Sequence, residues 1–328
     1  MSMYAEVEYE ETMGKYGGMS GKNHGYGRNM AYAGTQVLQA RFGGGHFSSV
    51  ASHGDRWNSF STWAKQSAGV KDMRDINKET VVQYGAYLRE QGLAAATIQN
   101  RISTINVVMS HAREGQWEKL SPRELAGRSR STVRTEAPKS YTAERYTAAH
   151  SAMTSAGLAR AAAVFGLARE FGMRSEEASK ANLDRLDKEM RQRGEINIVD
   201  GTKGGRTAPR WVAVTPAGRE ALAAAIAARP EGSSNMLRPN ETYKNWRAGE
   251  LRAGREILHE HGIRGYHDAR AAYACARYTE LTGHAAPAVS GGRRTVDRAT
   301  DQAARRTIST ELGHGRTDVA AAYVGSAR

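Results

Sequence analysis

The chain has 328 residues, which at about 150 residues per domain predicts two domains, each large enough to bury its own core. Lys and Arg number 47 against 34 Asp and Glu, and the formal charge of +13 points to a polyanionic partner, nucleic acid before a membrane surface. No apolar run approaches the length of a membrane-spanning helix, and the single cysteine, Cys275, excludes an intrachain disulfide and a Cys-based zinc site and fits a reducing cytoplasm.

The N-terminal MSMYAEVEYEETMGK lacks the basic region and apolar stretch of a signal peptide, so a cytoplasmic, nucleoid-associated protein is expected. Residues 1–32 mix Gly, Tyr, Met and Asn without apolar periodicity and read as a flexible leader. Residues 33–117 read as a helical domain. Trp57, Phe60 and Ala64 mark one helix, Val81, Tyr84 and Leu88 a second, and Ile98, Ile102, Ile105 and Met109 a third. The opposite face of that third helix carries Asn100, Arg101 and Asn106, which either touch DNA backbone or form a solvated face.

Residues 118–140 hold Pro122 and Pro138, no apolar period, and six Lys or Arg against three Glu, the composition of a basic linker. The second domain, 141–328, opens on an Ala-rich helical run over 144–170 and continues into a helix through Glu176 and Glu177. Ile196 and Ile198, then Trp211, Val212 and Val214, are short β-type runs around the glycine-containing GTKGGRTAPR, a hairpin with Lys203 in or beside its tip. Thr215 and Pro216 supply an N-cap and first-turn pair for a helix through Leu222 and Ile226. The fold class expected is mainly α with a small antiparallel β-sheet.

Taken singly, Arg174 reads as a surface residue, His267 as a satisfied histidine and Tyr323 as packing. Their order changes the reading. FGMRSEEA contains Arg174 and Glu177, the hairpin supplies Lys203, YHDARAAYACARY supplies His267 and Arg270, and ELGHGRTDVAAAYV supplies His314 with Tyr323 nine residues later. The series resembles the active-site motifs of the tyrosine recombinases, the phage integrase family, over roughly residues 45–328. The resemblance implies a core-binding (SAM-like) DNA-binding domain followed by an α+β catalytic domain.

It also implies a site-specific DNA recombinase or integrase that cuts and rejoins DNA through a 3′-phosphotyrosyl intermediate for integration or excision of a mobile element. Tyr323 is then the nucleophile, Arg174 and Arg270 the phosphate clamp, His267 and His314 hydrogen-bonding or proton-exchanging groups, Lys203 the proton donor to the leaving oxygen, and Glu177 a support behind the clamp. No cofactor, metal or ATP is implied, and the ten histidines show no H-E-x-x-H spacing. The implied partners are double-stranded DNA, a homo-tetramer on that DNA, and accessory DNA-bending or directionality factors. A type IB topoisomerase and a catalytically silent DNA-binding regulator are the competing readings.

Two departures stand out. Arg270 and His314 lie 44 residues apart, about twenty more than the family usually has. The excess reads as a basic loop over 284–304 with Pro287, Gly291, Gly292, Arg293, Arg294 and Arg298. Five residues follow Tyr323, which leaves no room for the C-terminal helix that many relatives dock into a neighbouring protomer.

Overall fold

The computed structural model describes residues 20–43, 47–205 and 208–326. The chain divides into two units, the first ending at Ser131 and the second starting at Thr132.

In the first unit the apolar stripes read from the sequence become one core. Helices α1 (Met30–Phe42), α2 (Phe47–Ser67), α3 (Lys78–Glu90) and α4 (Ala95–Ala112) turn Val37, Trp57, Phe60, Tyr84, Leu88, Ile98, Ile102 and Met109 inward. Trp57 sits against Gly34, where a Cβ would fall 1.9 Å from its Nε1, and donates from that nitrogen to the Met30 carbonyl at 2.9 Å. The close approach of α1 and α2 therefore depends on the missing side chain.

Residues 1–19 of the predicted leader lie outside the described residues, and the remainder is anchored at Asn23, His24, Gly25 and Met30, which are buried. Asn23 is fully buried with φ 51°, a left-handed conformation that Asn tolerates. Its N–H donates to Asp72 Oδ1 at 2.9 Å, and its side-chain oxygen accepts from the Met73 N–H at 2.8 Å. Side-chain to backbone bonds hold this segment, so it shows no apolar period.

Asn106 likewise fits neither expectation for its face. It is buried, accepting from Trp117 Nε1 at 3.0 Å and donating to the Leu120 carbonyl at 2.8 Å. That bond ties the start of the predicted linker to the first unit, where α5 (Pro122–Leu125), capped by Ser121, packs on α4. The end of the predicted linker belongs to the second unit: the Arg134 N–H donates to the Ala321 carbonyl at 3.0 Å.

The second unit is built around a nearly all-buried helix. The predicted run over 144–170 is two helices, α6 (Ala143–Ser155) and α7 (Ala159–Phe171), parted at Gly157 with φ 75°. The abundant alanines let neighbours approach α7 closely, and α10 (Pro216–Ala228) and α13 (Tyr266–Thr282) both pack on it. Between α7 and α10 in sequence come α8 (Ser175–Lys180), α9 (Leu183–Arg193), and the antiparallel strands β1 (Glu195–Asn197) and β2 (Trp211–Ala213), and between α10 and α13 come α11 (Tyr243–Ala248) and α12 (Glu250–Glu260). The strands pair Ile196 with Val212, both buried, as alternation predicts.

The predicted loop over 284–304 is shorter than expected. Ala286 and Ala288 are buried, and the Ala288 N–H donates to the Val324 carbonyl at 2.8 Å. Helix α14 (Arg298–Glu311) begins inside the stretch, with Asp297 as its cap. Arg293, Arg294 and Arg298 are exposed. The chain ends with a 3₁₀ turn and α15 (Ala321–Val324). Among the described residues no helix is long and apolar enough to cross a membrane.

Candidate active site

The site assembles on a carboxylate. Helix α7 stops at Gly172, whose φ of 63° suits glycine and where a Cβ would meet Tyr273 at 2.6 Å. The chain then turns so that Arg174 takes the N-cap position of α8. Glu177, one turn into that helix, folds its carboxylate back to accept the Arg174 N–H at 2.7 Å. It also accepts from Arg174 Nη1 at 2.6 Å, from Arg210 Nη1 and Nη2 at 3.0 and 2.9 Å, and from Arg270 Nη1 at 3.5 Å.

Glu177 and Arg270 are both completely buried. Burial by itself would raise the Glu177 carboxyl. The Arg210 hydrogen bonds and charge, then the Arg270 charge and the Arg174 N–H, outweigh it and hold the group at about 2. The carboxylate thus stays ionised with three guanidiniums around it, and the cluster keeps a net positive charge.

Arg270 is the hub. Burial pushes its guanidinium down to about 10, so it is still charged at neutral pH. It donates to the carbonyls of Gly172 and Leu312, and its Nε lies 3.4 Å from the Tyr323 hydroxyl. Its Nη2 is 3.4 Å from His314 Nε2, which in turn is 3.0 Å from the Tyr323 hydroxyl. Tyr323 is 4 % exposed, with its ring centroid 5.4 Å from that of His267 and 5.5 Å from that of His314.

His267 and Arg270 are three residues apart on α13, so they share a face. Asp268, between them, anchors the helix start by accepting from the Ser140 N–H and hydroxyl at 2.9 and 2.7 Å.

Both histidines are held neutral. His267 keeps an exposed edge, yet desolvation of its inner face, followed by the charges of Arg270, Arg134 and Arg174, lowers it to about 4. Desolvation, then Arg270, Arg174 and Arg210, lowers His314 to about 4 as well. An unfolded histidine takes its proton near 6.5, so the second unit is expected to lose stability as pH falls from about 6.5 towards 4. In the free protein the ring-proton resonances of His267 and His314 should titrate near 4 by NMR; midpoints near 6.5 would contradict a desolvated, arginine-lined pocket.

Lys203 sits at the exposed hairpin turn and lines the same cavity, of about 650 Å³, as Arg174, Glu177, Arg210 and His314. Lys180, on the nearby helix α8, is instead turned to Glu176 at 2.6 Å and to the Tyr243 ring. Arg174, Lys203 and His314 thus line one cavity over Glu177, and Arg270, Tyr323 and His267 adjoin it through the contacts of Arg270 and Tyr323 with His314 and of the His267 ring with Tyr323.

Sequence reasoning missed Arg210, which is 5 % exposed. A signal was present. Arg210 lies two residues before the inward-facing Val212, so strand alternation puts it on the buried face, where a charge needs a partner.

The sequence matches the Integrase family over residues 127–276. No curated protein matches it. Its fold is similar to that of the Tn1549 transposon integrase solved with circular intermediate DNA, at a TM-score of 0.59 and 10% identity over 92% of this chain and 97% of the other. It is similar also to a lambda integrase tetramer bound to a Holliday junction, at a TM-score of 0.56 and 12% identity over 88% of this chain and 74% of the other. The family match over residues 127–276 reaches Arg174, Lys203, His267 and Arg270, and the same unit brings His314 and Tyr323 of the final turns to Arg270, the arrangement that the resemblance to the tyrosine recombinases (phage integrases) implies.

Proposed function

We propose that this chain is a site-specific recombinase that cuts and rejoins DNA through a covalent bond between Tyr323 and a 3′ phosphate. The observation that carries the reading is the Tyr323 hydroxyl at 3.0 Å from His314 Nε2 and 3.4 Å from Arg270 Nε.

A phenol with a pKa of about 10 attacks poorly unless its proton has somewhere to go and its developing charge is met. His314, neutral at pH 7, offers an Nε2 lone pair for the proton when the other ring nitrogen carries the hydrogen. The Tyr323 oxygen bonds to phosphorus, the bond from phosphorus to the 5′ oxygen breaks, and Lys203 donates a proton to that oxygen. Arg174, Arg270 and His267 bear on the non-bridging oxygens, where fixed guanidinium forks stabilise the added charge of the transition state.

The products are a 3′-phosphotyrosyl bond and a free 5′ hydroxyl. Attack by a 5′ hydroxyl from another strand reverses every step and reseals the DNA, and the energy held in the phosphotyrosyl bond removes any need for ATP. The tyrosine-centred contacts favour this reading over a silent regulator. The function fits integration or excision of a mobile element by a tetramer assembled on DNA, with accessory factors setting direction.

The test uses nicked duplexes of randomised sequence, in which loss of the short 5′ fragment traps the adduct. Wild type should form an adduct, and Lys203→Ala should form it roughly 10²–10⁴-fold more slowly, the usual contribution of a general acid. Replacing the bridging 5′ oxygen by sulfur should restore Lys203→Ala to near the wild-type rate, because a thiolate leaves without a proton. No wild-type adduct would overturn the function, and an equal Lys203→Ala defect on both substrates would overturn the proton-donor role.

A further inference from the structure

We propose that Arg210 is a positioning residue of the phosphate clamp, gripping Glu177 so that Arg174 and Arg270 engage a DNA phosphate while the buried carboxylate stays paired. The inference rests on the function proposed above and adds a residue to it.

The three arginines hold Glu177 differently. Arg210 uses both Nη atoms on the two carboxylate oxygens, a parallel fork, and is almost fully buried. Arg174 reaches Glu177 through Nη1, and its side chain is 26% exposed beside the open cavity. Arg270 grazes Glu177 at 3.5 Å while its Nε points to the nucleophile. Arg210 is thus the fixed partner, and Arg174 is the one placed to turn outward. A buried carboxylate stripped of its partners is strongly destabilising, so a clamp that lets go of Glu177 to hold phosphate needs a third cation that does not.

The surroundings are shaped to keep Arg210 in place. Its N–H donates to Asn197 Oδ1 at 2.7 Å, and its carbonyl accepts from the Ile198 N–H at 3.0 Å, which extends the hairpin ladder by one rung. On the other side lies Gly313 of the Leu312–Gly313–His314 turn. A Cβ there would come within 2.6 Å of Arg210 Nη1, and φ is 66°. The glycine between Leu312 and His314 therefore leaves room for the Arg210 guanidinium beneath His314.

The experiment uses the full chain on the nicked duplexes, with Arg210→Gln, which is neutral and similar in size, and Arg210→Lys, which keeps a charge without the fork. DNA affinity should be retained. Adduct formation by Arg210→Gln should slow by roughly 10–100-fold, the usual effect of removing a group that orients ligating side chains. The groups facing Glu177 would then be Arg174 from the start of α8, Arg270 from α13 and His314 after α14. With its strongest partner gone the carboxyl takes a proton more readily, so the variant should lose further activity as pH falls and regain it as pH rises. Arg210→Lys should abolish that acid-side loss while remaining slower than wild type.

The bridging 5′ sulfur should not rescue Arg210→Gln, because its defect lies in the clamp and not in proton donation. Wild-type rates in Arg210→Gln, rescue by sulfur, or a defect of equal size at every pH would overturn the role. If Arg210→Gln does not fold, Arg210→Lys decides: a wild-type rate on the oxygen substrate, or rescue by sulfur, counts against it. A wild type without adduct would instead overturn the function on which this inference rests.

Discussion

Replacing Glu177 by alanine is expected to destabilise the second unit by about 3–5 kcal/mol, the range for breaking a buried ion pair by removing one partner. The carboxylate is completely buried and is bonded to Arg174, Arg210 and Arg270, of which Arg210 is 5 % exposed and Arg270 fully buried. Without it three guanidiniums face one another with no counter-ion, and two of them have little access to water. The Arg174 N–H at the start of α8 also loses its acceptor. Denaturant unfolding of wild type and Glu177→Ala should show the loss in the transition midpoint. A shift worth less than about 1 kcal/mol, the scale of an exposed pair, would mean that the cluster is not the electrostatic keystone described here.

That keystone explains which parts of the site can be read from sequence. His267 and Arg270 are three apart, a separation that one helix fixes whatever else the chain does. His314 and Tyr323 are nine apart, bridged by a 3₁₀ turn and the start of α15, so their meeting is also nearly local. Glu177 belongs to the same turn of chain as Arg174. Such pairs leave a spacing signature. The hairpin was legible for a related reason, because two β-branched runs around a glycine-containing tip encode their own register.

Arg210 left a fainter trace. Its partner Glu177 is 33 residues away, and only the burial of Val212 two positions on hints that it points inward. Asn23 and Asn106 were hidden because side chain to backbone bonds replace apolar contact in holding their segments. The stretch over 284–304 looks like a loop since Pro287, Gly291 and Gly292 interrupt any period, yet Ala286 and Ala288 are buried and the Ala288 N–H bonds to the helix that carries Tyr323. Alanine is too small to register as a core residue in a pattern search, and in this alanine-rich chain that hides much of the packing. The same property concealed the break at Gly157 within the run over 144–170.

The second large effect concerns Tyr323, the proposed nucleophile. Tyr323→Phe keeps the ring that packs near His267 and His314 and deletes only the oxygen held by His314 Nε2 and Arg270 Nε. The fold and DNA affinity should therefore be retained, since hydrogen bonds of these two kinds contribute on the order of 1–3 kcal/mol each to stability, while strand cleavage disappears altogether. The decisive measurement is peptide mapping of the covalent DNA adduct trapped on nicked duplexes by wild type and by Tyr323→Phe. A nucleotide-bearing peptide containing Tyr323 is expected in the wild type, and no adduct in the variant. An adduct on any other residue, or one that survives Tyr323→Phe, would contradict Tyr323 as the nucleophile.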